Sequence, residues 1–273
     1  MNFTERLTET QSRQNSVLCV GLDVDASLLP AALPPDAEGV IEFNRQIIGA
    51  TQDLVCAYKI NLAFYEALGE TGWGVLRKTL GLIPKDIVTI GDGKRGDIGN
   101  TSERYARVIF RDLGFDAATV NPYMGYDSVE PFLRDEERGA FVLALTSNPG
   151  SQDFQRLRVS SRRLFEKIAI AARKWNKRKN VGLVVGATHP REIKSVRALV
   201  PAMPLLIPGV GRQGGDLNAA VRYGCTASGF GVVINASRSI IFASKEIDFA
   251  GAAREKAIKL RDEIRTIQAR HIR

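Results

Sequence analysis

Short apolar runs rich in Val, Ile and Leu recur along this whole chain, and longer stretches of helical patterning separate them. That alternation constrains the fold more than any other feature. The runs are Val17–Asp23 (VLCVGLD), Leu54–Lys59 (LVCAYK), Asp86–Asp92 (DIVTIGD), Asp116–Asn121 (DAATVN), Ala140–Thr146 (AFVLALT), Val181–Gly186 (VGLVVG), Met203–Ile207 (MPLLI) and Gly229–Ile234 (GFGVVI). They are continuously apolar, not alternating, as parallel strands covered on both faces require. Helical periodicity fills Ala37–Thr51, Ser102–Leu113, Ser160–Arg178, Ile247–Ala269 and the shorter Asp216–Tyr223, with Asp216 as its N-cap candidate. About eight strand–helix units in 273 residues match a (β/α)8 barrel, a TIM barrel forming one domain over 1–273. A doubly wound open sheet is the alternative, because periodicity does not establish closure. Two long loops, Ser147–Val159 and Pro208–Gly215, follow predicted strands. In a barrel both would lie on the active-site face.

Composition bounds the function class. Charged residues are 25% and hydrophobic residues 44% of the chain, an ordinary globular balance. No apolar stretch approaches the ~18 residues of a membrane span. The start, MNFTERLTET, lacks an apolar signal region, so the cytoplasm is the expected location. Cys19, Cys56 and Cys225 are odd in number and far apart, which reads as buried reduced thiols. The net charge of +8 admits an anionic ligand or nucleic acid. The densest basic cluster, Arg173, Lys174, Lys177, Arg178 and Lys179, closes a predicted helix, where cations complement the dipole. Trp175 is the only aromatic residue within it, so no aromatic ladder for single strands is present, and no nucleic-acid partner is expected.

Chemistry concentrates in Ile90–Thr101, IGDGKRGDIGNT, which places Asp92, Lys94 and Asp97 at and past the end of the third strand. Asp92 and Lys94 are two apart, so on an extended backbone they point the same way. Carboxylates beside an ammonium hold it charged. An ammonium so placed can protonate a developing carbanion. A surface turn with a local ion pair is the alternative for these residues taken alone.

DGKRGDIGNT resembles the signature of the orotidine 5′-phosphate decarboxylase family. GLDVD at Gly21–Asp25, AYKIN at Ala57–Asn61, LTS at Leu145–Ser147, IPGVGRQGGD at Ile207–Asp216 and INASRSI at Ile234–Ile240 fall in that family's order. The length and the long loop after strand five are similar to its longer bacterial branch, type 2. The resemblance implies a cofactor-independent, metal-free decarboxylation of orotidine 5′-monophosphate to uridine 5′-monophosphate and CO2. That reaction is the last step of de novo UMP synthesis. It implies that Asp23 bonds the ribose and that Lys59 reaches the ribose and joins the charge network. Asp92 would sit near the reacting carboxylate, and Lys94 would donate the proton to C6. Asp97, with Ile98 and Thr101 nearby, resembles the part of the site lent by the neighbouring subunit of a homodimer. Ser147, with Thr146, would read the pyrimidine edge. Pro208 would lie against the base, and Gln213 and Arg238 would grip the phosphate. The chain departs from a Gly-Arg phosphate turn, reading Asn235-Ala236-Ser237-Arg238 instead, so Ser237 is a further phosphate candidate.

No HExxH or CxxC suggests a metal, and the GxGxxG spacings at Gly91–Gly96 and Gly209–Gly214 fall inside the segments that carry the family resemblance, so no cofactor is expected. His189 precedes Pro190 and reads as a helix-start residue, and His271 is near the C-terminus; both lie away from the motifs. Two other readings stay open. A metal-dependent sugar-phosphate relative shares DxKxxD but resembles this chain less at strand two, where it supplies a glutamate and this chain has Lys59. A binding or scaffolding protein would use the +8 charge on polynucleotides.

Overall fold

The computed structural model describes residues 1–210 and 214–271. Eight parallel strands close into a barrel: β1 Leu18–Gly21, β2 Ala57–Asn61, β3 Val88–Arg95, β4 Ala117–Val120, β5 Gly139–Leu145, β6 Val181–Val185, β7 Leu205–Pro208 and β8 Val232–Ala236. Each strand pairs with its chain neighbour, and β1 closes on β8 through Leu18–Ile234, Cys19–Asn235 and Val20–Ala236. The open-sheet alternative is thereby removed. Closure leaves no free edge and brings all eight C-terminal strand ends to one mouth.

Helices cover the outside because their apolar faces have nowhere else to go. Ala37–Thr51 begins at Asp36, whose carboxylate accepts from the Glu38 and Gly39 amides. It buries Val40, Phe43, Ile47 and Ile48, the spacing of one helical face. Phe43 stacks on Phe249 at 5.0 Å and on Phe242 at 5.4 Å, tying the last helix, Phe249–His271, to the barrel wall.

A helix without a clear apolar stripe, Phe3–Gln14, plugs the N-terminal end of the barrel. Phe3 and Leu7 join Cys19, Val88, Ile90, Phe141, Leu206 and Val233 in the interior cluster. Phe3 meets Phe141 edge-on at 5.9 Å and lies over Gly139, where any Cβ would sit 2.4 Å from its ring. Gln11 bonds the Val232 carbonyl and the Gly231 amide, closing the plug with polar contacts. The plug thus fills the N-terminal end of the barrel, and the described cleft opens at the strand C-termini.

Two predicted helices need correction. Ser160–Arg178 is not one helix: Arg158–Val159 and Arg162–Arg163 form a small antiparallel hairpin, and the helix runs Leu164–Trp175. Ser160 takes the turn with φ 61°, and the Arg163 amide bonds the Glu166 carboxylate, which sets the start. Ser102–Leu113 is displaced to Gly99–Arg107, followed by a wider turn over Val108–Asp112 in which the Leu113 amide reaches the Val108 carbonyl.

Candidate active site

A row of alternating charges crosses the mouth of the barrel. Lys59, from the middle of β2, places Nζ 3.2 Å from Asp23 and 3.0 Å from Asp92. The other oxygen of Asp92 takes Lys94 Nζ at 2.7 Å. Lys59 is 3% and Asp92 7% exposed, so both charges have left bulk water. Burial alone would lower the Lys59 pKa, yet Asp23 and Asp92 outweigh it and hold the ammonium above its ordinary range. Burial would likewise raise Asp92, but Lys59 and Lys94 hold its carboxyl well below the usual carboxylate range. Lys59 and Asp92 thus hold each other in their charged forms.

The backbone that delivers Lys94 is not the extended strand inferred from the spacing. Lys94 has φ 47°, in the left-handed region, and the β3–β4 register shifts between Gly91 and Arg95. A bulge, not strand alternation, turns Lys94 onto Asp92. Thr119 on β4 holds it there. Its hydroxyl accepts from the Lys94 amide at 2.9 Å and donates to Asp92 at 2.8 Å. The side chain of Asp92 keeps little exposure, whereas that of Lys94 is 49% exposed and faces the cleft.

The cleft has a volume of about 360 Å3, in the range of small-molecule sites. Leu143, Val184 and Leu206 form an apolar floor, with Pro208 at one side and Thr146 and Ser147 at another. Asn235, Ser237 and Arg238 close the far wall. Ser237 packs where a Cβ on Gly21 would fall 1.9 Å from its hydroxyl, so β1 must carry glycine for the turn to enter the cleft. No carboxylate pairs with Arg238 among the described residues, which leaves a cation open to a ligand anion.

Nine of the twelve residues singled out from the sequence line this cleft: Asp23, Lys59, Asp92, Lys94, Thr146, Ser147, Pro208, Ser237 and Arg238. Asp97 and Thr101 do not line it; the Asp97 carboxylate caps the Ile98 amide. Gln213 lies outside the described residues. Sequence reasoning missed Asn61, Thr119, Asn148 and Asn235, all in the cleft wall. It also set His189 apart, whereas the imidazole reaches the Thr146 carbonyl at 3.0 Å. Among the described residues no group of three or more His, Cys, Asp or Glu is placed to hold a metal ion.

A closed (β/α)8 barrel with a buried charge row at its C-terminal mouth has the layout of a barrel enzyme. The chain belongs to the orotidine 5′-phosphate decarboxylase / HUMPS family, whose model matches residues 16–253. It is 49% identical over 268 residues to an orotidine 5′-phosphate decarboxylase of Dehalococcoides mccartyi, covering 97% of both chains. It is 49% identical over 257 residues to that of Herpetosiphon aurantiacus, covering 93% of this chain and 95% of that one. The solved Leishmania donovani OMP decarboxylase superposes with a TM-score of 0.87 at 39% identity, over 98% of this chain and 100% of the other.

Proposed function

We propose that this chain decarboxylates orotidine 5′-monophosphate to uridine 5′-monophosphate and CO2, as a carboxy-lyase. The observation that carries the proposal is Lys59, buried between Asp23 and Asp92 with Lys94 beyond. A cation-binding sugar-phosphate chemistry at this mouth would have to displace or neutralise two lysines. Proton delivery to a carbanion needs them where they are.

The substrate phosphate pairs with Arg238 and Ser237, and the ribose lies against Asp23 and Lys59. The base rests on the apolar floor with its edge at Ser147. Its carboxylate then faces Asp92, while the Lys94 ammonium stands beside C6. As the C6–carboxyl bond breaks, its electron pair stays on C6 and CO2 departs. Lys94 stabilises that pair and transfers a proton to it. The resulting amine regains its proton from water, which its half-exposed side chain can reach. Phosphate binding far from C6 supplies remote binding energy for closing the loops over the base.

Asp97 and Thr101 serve the site of a partner subunit in a homodimer. The support is an apolar surface beside them, with Ile98 56%, Met124 44% and Tyr126 45% exposed. Three buried free cysteines suit a reducing cytoplasm, and no helix among the described residues is long and apolar enough to cross a membrane. Nucleic acid is no partner in this reading.

The test is the loss of orotidine 5′-monophosphate absorbance with purified protein, with and without EDTA. Turnover that EDTA leaves unchanged is the expected result. No turnover, or turnover abolished by EDTA and restored by Mg2+, would overturn the proposal.

A further inference from the structure

The peptide that ends β5 is held by more than its strand. The Thr146 amide donates to Gln155 Oε1 at 2.7 Å, and its hydroxyl donates to Asn148 at 2.6 Å and accepts from Gln155 Nε2 at 2.9 Å. The turn after β6 takes the carbonyls. His189 Nε2 donates to the Thr146 carbonyl at 3.0 Å, and Thr188 Oγ1 to the Ser147 carbonyl at 3.4 Å. Gly186 makes this approach possible, since a Cβ there would lie 2.8 Å from the Ser147 backbone.

The chemistry of the partners fixes the imidazole. A carbonyl oxygen only accepts, so Nε2 carries the hydrogen. Arg156 lies 2.8 Å from Nδ1, and a guanidinium only donates, so Nδ1 is the bare nitrogen. Arg156 is itself anchored by Glu192 at 2.7 Å, a carboxylate that Arg163 also approaches at 3.4 Å. Gln155 and Arg156 belong to the long loop after β5, while His189 and Glu192 belong to the turn and helix after β6. The two segments therefore converge on the Thr146–Ser147 peptide, and the Thr146 amide, carbonyl and hydroxyl are all engaged, by Gln155, His189 and Asn148.

We infer that His189, held by Arg156 as its Nε2–H tautomer, is a positioning residue that sets the Thr146–Ser147 peptide against the base of the ligand. It makes the enzyme's preference for a pyrimidine nucleotide depend on a clamp outside the signature motif. Thr146 in this account aligns Ser147 and does not read the base through its own hydroxyl. The inference rests on the nucleotide reading of the cleft for its ligand, and on hydrogen bonds alone for the clamp.

The experiment compares wild type, His189→Ala and His189→Gln, each checked for native circular dichroism. Gln offers a donor to the Thr146 carbonyl and an acceptor to Arg156. Hydrogen exchange is followed in the 146–157 segment, and uridine 5′-monophosphate and ribose 5-phosphate are titrated calorimetrically. His189→Ala should speed exchange in that segment and weaken the nucleotide roughly tenfold, the size of one lost hydrogen bond. Ribose 5-phosphate, which has no base, should bind as before, and Gln should restore both readouts. Unchanged exchange in His189→Ala overturns the clamp. Faster exchange with unchanged nucleotide affinity, or equal losses for both ligands, overturns the positioning role. If wild type itself fails to bind the nucleotide, the functional reading falls, and the exchange data still decide the clamp.

Discussion

Thr119→Val is the substitution that most sharply probes how the site is built. Val is close to Thr in shape, and Thr119 is 1% exposed, so packing is conserved while the hydroxyl is removed. Two bonds go with it. The 2.8 Å bond to Asp92 is made to an ionised group, worth about 1.5–3 kcal/mol. The 2.9 Å bond from the Lys94 amide anchors a residue at φ 47°, a conformation that costs roughly 1–2 kcal/mol in a non-glycine residue. The amide is only partly buried, so water recovers some of that loss. A net destabilisation of about 3 kcal/mol follows, which in a chain of this size lowers Tm by roughly 6 °C. Released from the bulge, Lys94 should wander by an ångström or so, and kcat should fall about 100-fold. Thr119→Ser, which keeps the oxygen, should recover most of the activity. Calorimetry and steady-state decarboxylation measure both quantities. Wild-type Tm and kcat in Thr119→Val would refute the claim that this hydroxyl couples the bulge to the carboxylate.

Other consequences are as direct. Arg238→Ala should weaken uridine 5′-monophosphate by about 1.5–3 kcal/mol, the scale of a charged hydrogen bond, and leave uridine unaffected; equal losses would place Arg238 away from the phosphate. The Asp92 carboxyl titrates lower when folded than unfolded, so its ionised form stabilises the fold above pH ~4 and that stability drains away below it. Asp92→Asn should therefore lack this acid loss of Tm, and parallel acid profiles would contradict the coupling. Mixing inactive Lys94→Ala and Asp97→Ala proteins under subunit exchange should restore roughly a quarter of wild-type activity, because half the dimers then carry one intact site. No recovery despite proven exchange would put Asp97 in the site of its own chain.

The barrel was legible because parallel strands buried on both faces must be continuously apolar, and all eight runs became strands. The plug helix Phe3–Gln14 was not, since only Phe3 and Leu7 mark its buried face among polar residues. The motif residues Asp92 and Lys94 were found by type and spacing, but the contact arises from a bulge that no spacing rule reveals. Thr119 sits in DAATVN, where a threonine reads as an ordinary strand former; only its place on the strand beside β3 gives it two partners in the site. His189 looked like a helix-start residue beside Pro190, and its backbone does begin that helix. Its ring instead serves a residue 43 positions earlier, a pairing set by the neighbouring places of β5 and β6 in the barrel.

The central claim is that a fixed charge row acts through the Lys94 ammonium on a carbanion at C6. The most direct measurement is kcat for orotidine 5′-monophosphate in Lys94→Ala, alongside its Tm and its affinity for uridine 5′-monophosphate. Lys94 is half-exposed and the rest of the row stays paired, so the fold should survive. Turnover should drop by at least about 10⁴-fold, because both the electrostatic contribution and the proton donor are removed. A folded, nucleotide-binding Lys94→Ala protein that still turns over near the wild-type rate would contradict the account.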